Sequence, residues 1–352
     1  MNTSIDRARL FGHLEKLLLA HAPPGSEAEM DQLVMDMVQA MDAPVWQDAA
    51  GSIVIHIKGH SDASPIAVTA HKDEISMIVK RVEEDGRLRV RSLGGLWPWA
   101  IGEGPVEILG REGLVAGVLS TGSKHASAES SVFDLKEKAP MTWEVVWIET
   151  KLSVEELRQR GVRVGSKAVL ARSRKHSSTM GDFICAYNLD CRAGLAALIE
   201  TALQLQENPP PQDVYLVASS EEEIGAFGAT YSLAQLPAET AIALDIVPVA
   251  AEYQTRNCGA PILGCKDNIS TYDERIVYHM EDLANAMDFG SQTVVVTSYG
   301  SDATIAKRAG SVARAVLIGY PGDNTHGYEI CSTDGIANTA RLLLAYLHDP
   351  IH

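Results

Sequence analysis

In Val214-Tyr215-Leu216-Val217-Ala218-Ser219-Ser220-Glu221-Glu222-Glu223-Ile224-Gly225 a short apolar run passes directly into three adjacent carboxylates. A run with no polar alternate face suits a strand covered by helices on both sides. The carboxylates repel one another unless a cation neutralises them or they splay into water. Four further runs share the texture: IAVTA (66–70), AIALDI (241–246), TVVVTS (293–298) and ARAVLIG (313–319). Between them lie stretches of helical period. From Ser26, placed to cap a helix, Met30, Leu33, Val34, Met37, Val38 and Met41 share one stripe. After Asp190 the stripe is Leu195, Leu198, Ile199, Ala202 and Leu203, ended by Pro209–Pro211, and Ile336, Ala340, Leu343, Leu344 and Leu347 mark a closing helix. The alternation predicts an α/β fold with a mostly parallel central sheet between helix layers.

Residues 76–175 read differently. They are dense in glycine (Gly86, Gly94, Gly95, Gly102, Gly104, Gly110, Gly113, Gly117, Gly122) and in short β-type pieces such as RLRVRSL and MTWEVVWIE, with SVEELRQR (153–160) as the one short helix candidate. That predicts a small β-domain. It is inserted between residues 1–75 and 176–352, which form the two parts of one catalytic α/β domain. Trp97, Trp99, Trp143 and Trp147 within it read as core or subunit contact.

The 352 residues suffice for two domains at roughly 100–200 residues each. With 46% hydrophobic and 22% charged residues, disordered and fibrous classes are excluded. A formal net charge of −16 repels phosphate backbones, so nucleic acid is not an expected partner, and the basic cluster Arg172, Arg174 and Lys175 does not reverse that. No apolar run reaches the ~18 residues of a membrane span, and charges interrupt any leader-like core at the N-terminus. Five cysteines without CxxC spacing point to a reducing compartment, and the expected location is cytoplasmic.

The strand ends carry the chemistry. IAVTA leads into His71-Lys72-Asp73, where the carboxylate could orient a ligating imidazole, although a surface His beside a turn Asp is the plainer reading. Asp190, in Asn188-Leu189-Asp190-Cys191-Arg192, reads either as a helix N-cap or as a carboxylate bridging two cations. Glu222 and Glu223 could divide labour around their turn, one ligating and one facing water; a solvated acidic loop is the alternative. Asp245 stands alone in the apolar run 241–249, and a buried carboxylate needs a hydrogen-bonding partner or a metal. His326 lies in a loop after ARAVLIG. Together His71, Asp190, Glu223, Asp245 and His326 suit two Zn²⁺ or Co²⁺ ions about 3.5 Å apart. Glu222 is then left free to act as general base.

The order HxD, NxDxR-G, EExG, LD and H resembles the co-catalytic di-metal aminopeptidases of the TET type, which include glutamyl and deblocking aminopeptidases. Ala22-Pro23-Pro24-Gly25-Ser26-Glu27 is similar to that family's P-S-G-x-E turn, Ser92-Leu93-Gly94-Gly95 to its inserted dimerisation domain, and Ser301-Asp302-Ala303 to its TDA loop. The resemblance implies a zinc-exopeptidase-like fold, peptide substrates, and a homo-oligomer, commonly a tetrahedral dodecamer. It assigns His71 and Asp245 to one metal and Glu223 and His326 to the other. Asp190 then bridges, Asp73 orients His71, and Glu222 activates water. Cys191 departs from the family's second Asp, and His326-Gly327-Tyr328 from its His-Ser-Pro, which makes Tyr328 a residue to watch for specificity. Cys258 and Cys265 flank a loop read as structural, with a place in the substrate pocket as the alternative. The competing functions are a deacylase or amidase on a dipeptide-like molecule, a glycoside hydrolase using Glu222 with Asp245, and a non-catalytic oligomeric scaffold.

Overall fold

The computed structural model describes residues 3–124 and 140–351. The remainder of the expected insertion, 125–139, lies outside the described residues.

The strands of the α/β part are β1 (Val45–Gln47), β2 (Ile53–Ile57) and β3 (Ile66–His71). After the insertion, whose strands β4 to β9 follow below, come β10 (Ser178–Met180), β11 (Phe183–Ala186), β12 (Val214–Ser219) and β13 (Thr240–Pro248). The last are β14 (Ile262–Lys266), β15 (Gln292–Val295), β16 (Arg314–Asp323) and β17 (Glu329–Ser332). They form one sheet in the order β1-β2-β12-β3-β13-β16-β17-β11-β10, with β14 and β15 branching from β16. Its centre, β12-β3-β13-β16, is parallel, while β2, β14 and β17 join those strands antiparallel. The parallel character is therefore concentrated where the apolar runs lie: every residue of β3 and β12 is buried. Register aligns Ser219 with His71 and Asp245 with Gly319, so the carboxyl ends of the parallel strands open on one crevice, the usual ligand position in such sheets.

The long helix Leu189–Glu207 lies against the sheet, packed by the closing helix Thr333–His348 and by Arg7–Leu19. The last of these is not evident from the N-terminal charges, yet Leu10, Leu14, Leu17 and Leu18 bury one stripe and Asp6 caps it. Ser26 does not cap the next helix. That helix spans Ala28–Val38, with Glu27 at the N-cap position, and Met41 lies beyond its end. Gly25 precedes this start in a left-handed turn at φ +69°, and the Glu27 carboxylate accepts from Lys72 and makes no capping bond to its own helix. TVVVTS also departs from expectation. Only Gln292–Val295 is strand, at the branch edge, and Val295 is 53% exposed, so it is not a buried central strand.

The strands β4 (Ser76–Val82), β5 (Leu88–Leu93), β6 (Gly104–Gly110), β7 (Gly113–Ser120), β8 (Trp147–Glu149) and β9 (Lys167–Leu170) close into a barrel. Met77, Val79, Val90, Ile108, Leu119 and Ile148 are among the side chains that fill it. MTWEVVWIE contributes only β8. Val154–Gln159 is helical, started by a capping box between Ser153 and Glu156. Trp143 is core, with its indole N–H donating to the Leu96 carbonyl at 3.2 Å. Trp97 and Trp99 are not core; they are 57% and 65% exposed. Among the described residues no helix is long and apolar enough to cross a membrane.

Candidate metal centre

His71 closes β3, Asp190 lies in the first turn of Leu189–Glu207, and Glu222 and Glu223 follow β12. Asp245 sits inside β13, and His326 in the turn between β16 and β17. The fold brings them together. Asp190 presents one carboxylate oxygen to each imidazole: Oδ1 is 2.9 Å from His71 Nε2 and Oδ2 is 3.4 Å from His326 Nε2. It does not cap the helix; Asn188, in the left-handed region, holds the cap position. Glu223 Oε2 lies 3.9 Å from His326 Nε2. Donor atoms of His71, Asp190 and Glu223 lie within 4.8 Å of one another, as do those of His71, Cys191 and Asp245. Asp190, Glu222, Glu223, Asp245 and His326 line one cavity of about 590 Å³.

Supporting groups fix these side chains. Asp73 Oδ1 is 3.4 Å from His71 Nδ1, and the same carboxylate accepts from the backbone N–H groups of Glu222 (3.0 Å) and Glu223 (3.1 Å). His326 Nδ1 donates to the Gly95 carbonyl at 3.0 Å, which leaves Nε2 aimed at Asp190 and Glu223. Glu329, to which sequence reasoning gave no part, accepts from the backbone N–H groups of Asp190 and of His326, each at 3.0 Å. The glycine pair has a second role unseen in the sequence. A Cβ at Gly95 would lie 2.6 Å from His326 Nδ1, and one at Gly94 3.0 Å from Glu223 Oε2, so the barrel edge has to be bare there. Asn188, Glu221 and His326 all adopt positive φ, a local strain of the kind that gathers at functional sites.

The electrostatics call for added positive charge. Burial, reinforced by Asp302, Asp245 and Glu223 against the pull of His71, lifts Glu222 well above the usual carboxylate range. Burial likewise raises Asp245, and pushes Glu223 up to about 7. Glu223 Oε1 is buried with no hydrogen-bond partner among the described residues. The imidazoles answer in kind. Burial lowers His326, but its bond to Asp190 and the nearby Glu223 overcome that and raise it to about 11. The carboxylates that raise both imidazoles are the ones a pair of divalent cations would satisfy. Imidazole and carboxylate donors of this kind fit Zn²⁺ or Co²⁺.

One expectation is revised. Tyr328 is not among the cavity-lining residues; its hydroxyl lies 2.9 Å from Ser178 Oγ and its ring is edge-on to Tyr187. Cys258 and Cys265 do not line the cavity either. Cys191 stays a buried thiol, donating to the Leu244 carbonyl at 3.2 Å.

The sequence profile of the M42 glutamyl aminopeptidase family matches residues 51–342. The lysyl aminopeptidase of Pyrococcus furiosus is 31% identical over 215 residues, which cover 61% of this chain and 59% of that relative. The putative aminopeptidase YhfE of Bacillus subtilis is 24% identical over 347 residues, covering 96% and 97%. Among solved structures, aminopeptidase APDkam598 from the archaeon Desulfurococcus kamchatkensis superposes with a TM-score of 0.87 at 25% identity, covering 97% of this chain and 95% of that one.

Proposed function

The chain belongs to the M42 glutamyl aminopeptidase family and is therefore an enzyme of the hydrolase class, and from that premise we propose that it removes N-terminal residues from peptides at the crevice just described. In this reading His71 and Asp245 hold one divalent cation, Glu223 and His326 hold a second, and Asp190 serves both. The observation that carries it is the Asp190 carboxylate set between two imidazoles, with Glu222 in the same cavity but outside both donor groups.

Bound there, a cation pair would supply Lewis acidity, polarising a carbonyl and lowering the pKa of water towards ~7. The chain's own groups do the rest. Glu222, whose proton affinity is raised by burial, takes a proton from the attacking water. As the water oxygen bonds to the carbonyl carbon and the C–N bond breaks, Glu222 returns that proton to the departing amine. Asp73 lies 3.4 Å from the His71 ring and accepts from the Glu222 backbone N–H, which sets base and donor side by side.

Glu222→Gln is expected to retain bound metal and lose at least about 10²-fold in rate. Asp190→Ala is expected to lose metal by elemental analysis as well as activity. Near wild-type turnover by Glu222→Gln on aminoacyl amides, or preference for N-acylated substrates, refutes the reading. In the same proposal the barrel, within the insertion 76–175, is the dimerisation element of a homo-oligomer, and the free thiols of all five cysteines suit the cytoplasm. Light scattering of the intact protein tests the first point.

A further inference from the structure

Trp97 and Trp99 leave more than half of their surface open (57% and 65%), yet they are set on a rigid mount. The short helix Pro98–Ile101 carries them with Leu96, Pro98 and Ile101 buried beneath. The Ile101 carbonyl accepts from Arg174 Nη2, and the Leu96 carbonyl accepts from the Trp143 indole. Both exposed indoles line the cavity that holds Asp190, Glu222 and His326. Among the described residues neither enters a ring stack or a cation contact. Ile246, Pro248 and Ile305 add apolar surface to the same lining. The charged lining is Asp190, Glu222, Glu223, Asp245 and His326, with no Lys or Arg among the lining residues.

An acidic side chain entering this space finds no Lys or Arg in the lining to pair with. A large apolar one meets preorganised indole and aliphatic surface, where stacking and burial add to each other. We propose that Trp97 and Trp99 are substrate-binding residues that make the site selective for peptides with a large apolar or aromatic N-terminal residue over an acidic one. This rests on the aminopeptidase reading above.

The test uses the full-length, metal-loaded protein and p-nitroanilides of Phe, Leu, Ala, Lys and Glu. Phe and Leu substrates are expected to exceed the Glu substrate in kcat/KM by at least about tenfold. Trp97→Ala with Trp99→Ala should lower the Phe and Leu values by about tenfold, mainly through KM, and the Ala value by less. Phe at both positions should restore most of the preference. A second readout avoids turnover: in Glu222→Gln, indole fluorescence should respond to Phe-Ala and not to Glu-Ala. A Glu preference overturns the proposal and leaves the aminopeptidase reading standing. So does a double variant with unchanged selectivity, and a smaller oligomer in that variant would then make the pair a subunit contact. No cleavage of any substrate, with metal bound and no fluorescence response, defeats the aminopeptidase reading and this proposal together.

Discussion

Replacing Lys175 by Met tests whether the buried ionic knot behind the crevice holds the fold as its geometry says. Lys175 is fully buried, with Nζ 2.6 Å from Glu74 Oε2 and 2.9 Å from His21 Nδ1. Burial lowers the His21 pKa, so its ring can accept from Lys175 while Nε2 faces Glu107 at 2.5 Å. Burial works against the Glu74 charge, but Lys175 and then Arg192 outweigh it and hold that carboxyl below its usual range. Removing one partner of a buried pair costs about 3–5 kcal/mol. Here Glu74 keeps the Ala22 backbone N–H at 2.8 Å, Asn188 Nδ2 at 2.7 Å and Arg192 at 3.9 Å. The cost should therefore sit near the lower end, about 3 kcal/mol at pH 8. The sign with pH follows. In the wild type the lowered Glu74 pKa gives stability that is present above its unfolded value and lost as pH falls through the folded one. Without Lys175 the carboxyl protonates more readily, so the variant's deficit shrinks at pH 5. Urea denaturation of Lys175→Met, Glu74→Gln and the double variant, at both pH values, measures this. The double variant leaves no stranded charge of this pair and should cost at least about 2 kcal/mol less than the sum of the singles. Additivity within about 0.5 kcal/mol, or a Lys175→Met deficit that grows towards pH 5, refutes the reasoning.

Gly95→Ala places a methyl 2.6 Å from His326 Nδ1, so the imidazole must shift. Bound metal should fall while circular dichroism stays native, because the barrel core is untouched. Glu329→Gln leaves one of the backbone N–H groups of Asp190 and His326 facing an amide instead of a carboxylate oxygen, and should weaken metal binding about 10–100-fold in a competition titration. Chelator treatment should lower the thermal midpoint, since it strands buried carboxylates such as Glu223, and readdition of Zn²⁺ should restore it.

The α/β part was legible wherever one segment carried the whole signal. IAVTA, VYLVAS and AIALDI are buried central strands because none of them has a polar alternate face to turn to water. The donor residues were legible for a related reason: a carboxylate such as Asp245 within an apolar run needs an explanation wherever it folds. What depends on two distant segments was not legible. Nothing local in Ser92–Gly95 says that an imidazole more than two hundred residues later needs the room a missing Cβ leaves. Glu329 carries no local signal, because its part depends on the Asp190 and His326 backbone N–H groups that the fold brings to it. Trp97 and Trp99 read as core or subunit contact, and composition could not say which; it is the support beneath them that leaves both faces exposed.

The link from His326 to the Gly95 carbonyl ties the barrel to the sheet-bearing body a second time, beside the covalent crossing from His71 to Ser76. Anyone transplanting a barrel from a relative, or trimming it to obtain a minimal enzyme, inherits that dependency. A graft that omits the segment from Ser92 to Ile101 would free the ring to flip and offer the wrong nitrogen to its neighbours, so the smallest portable unit of this centre spans both parts.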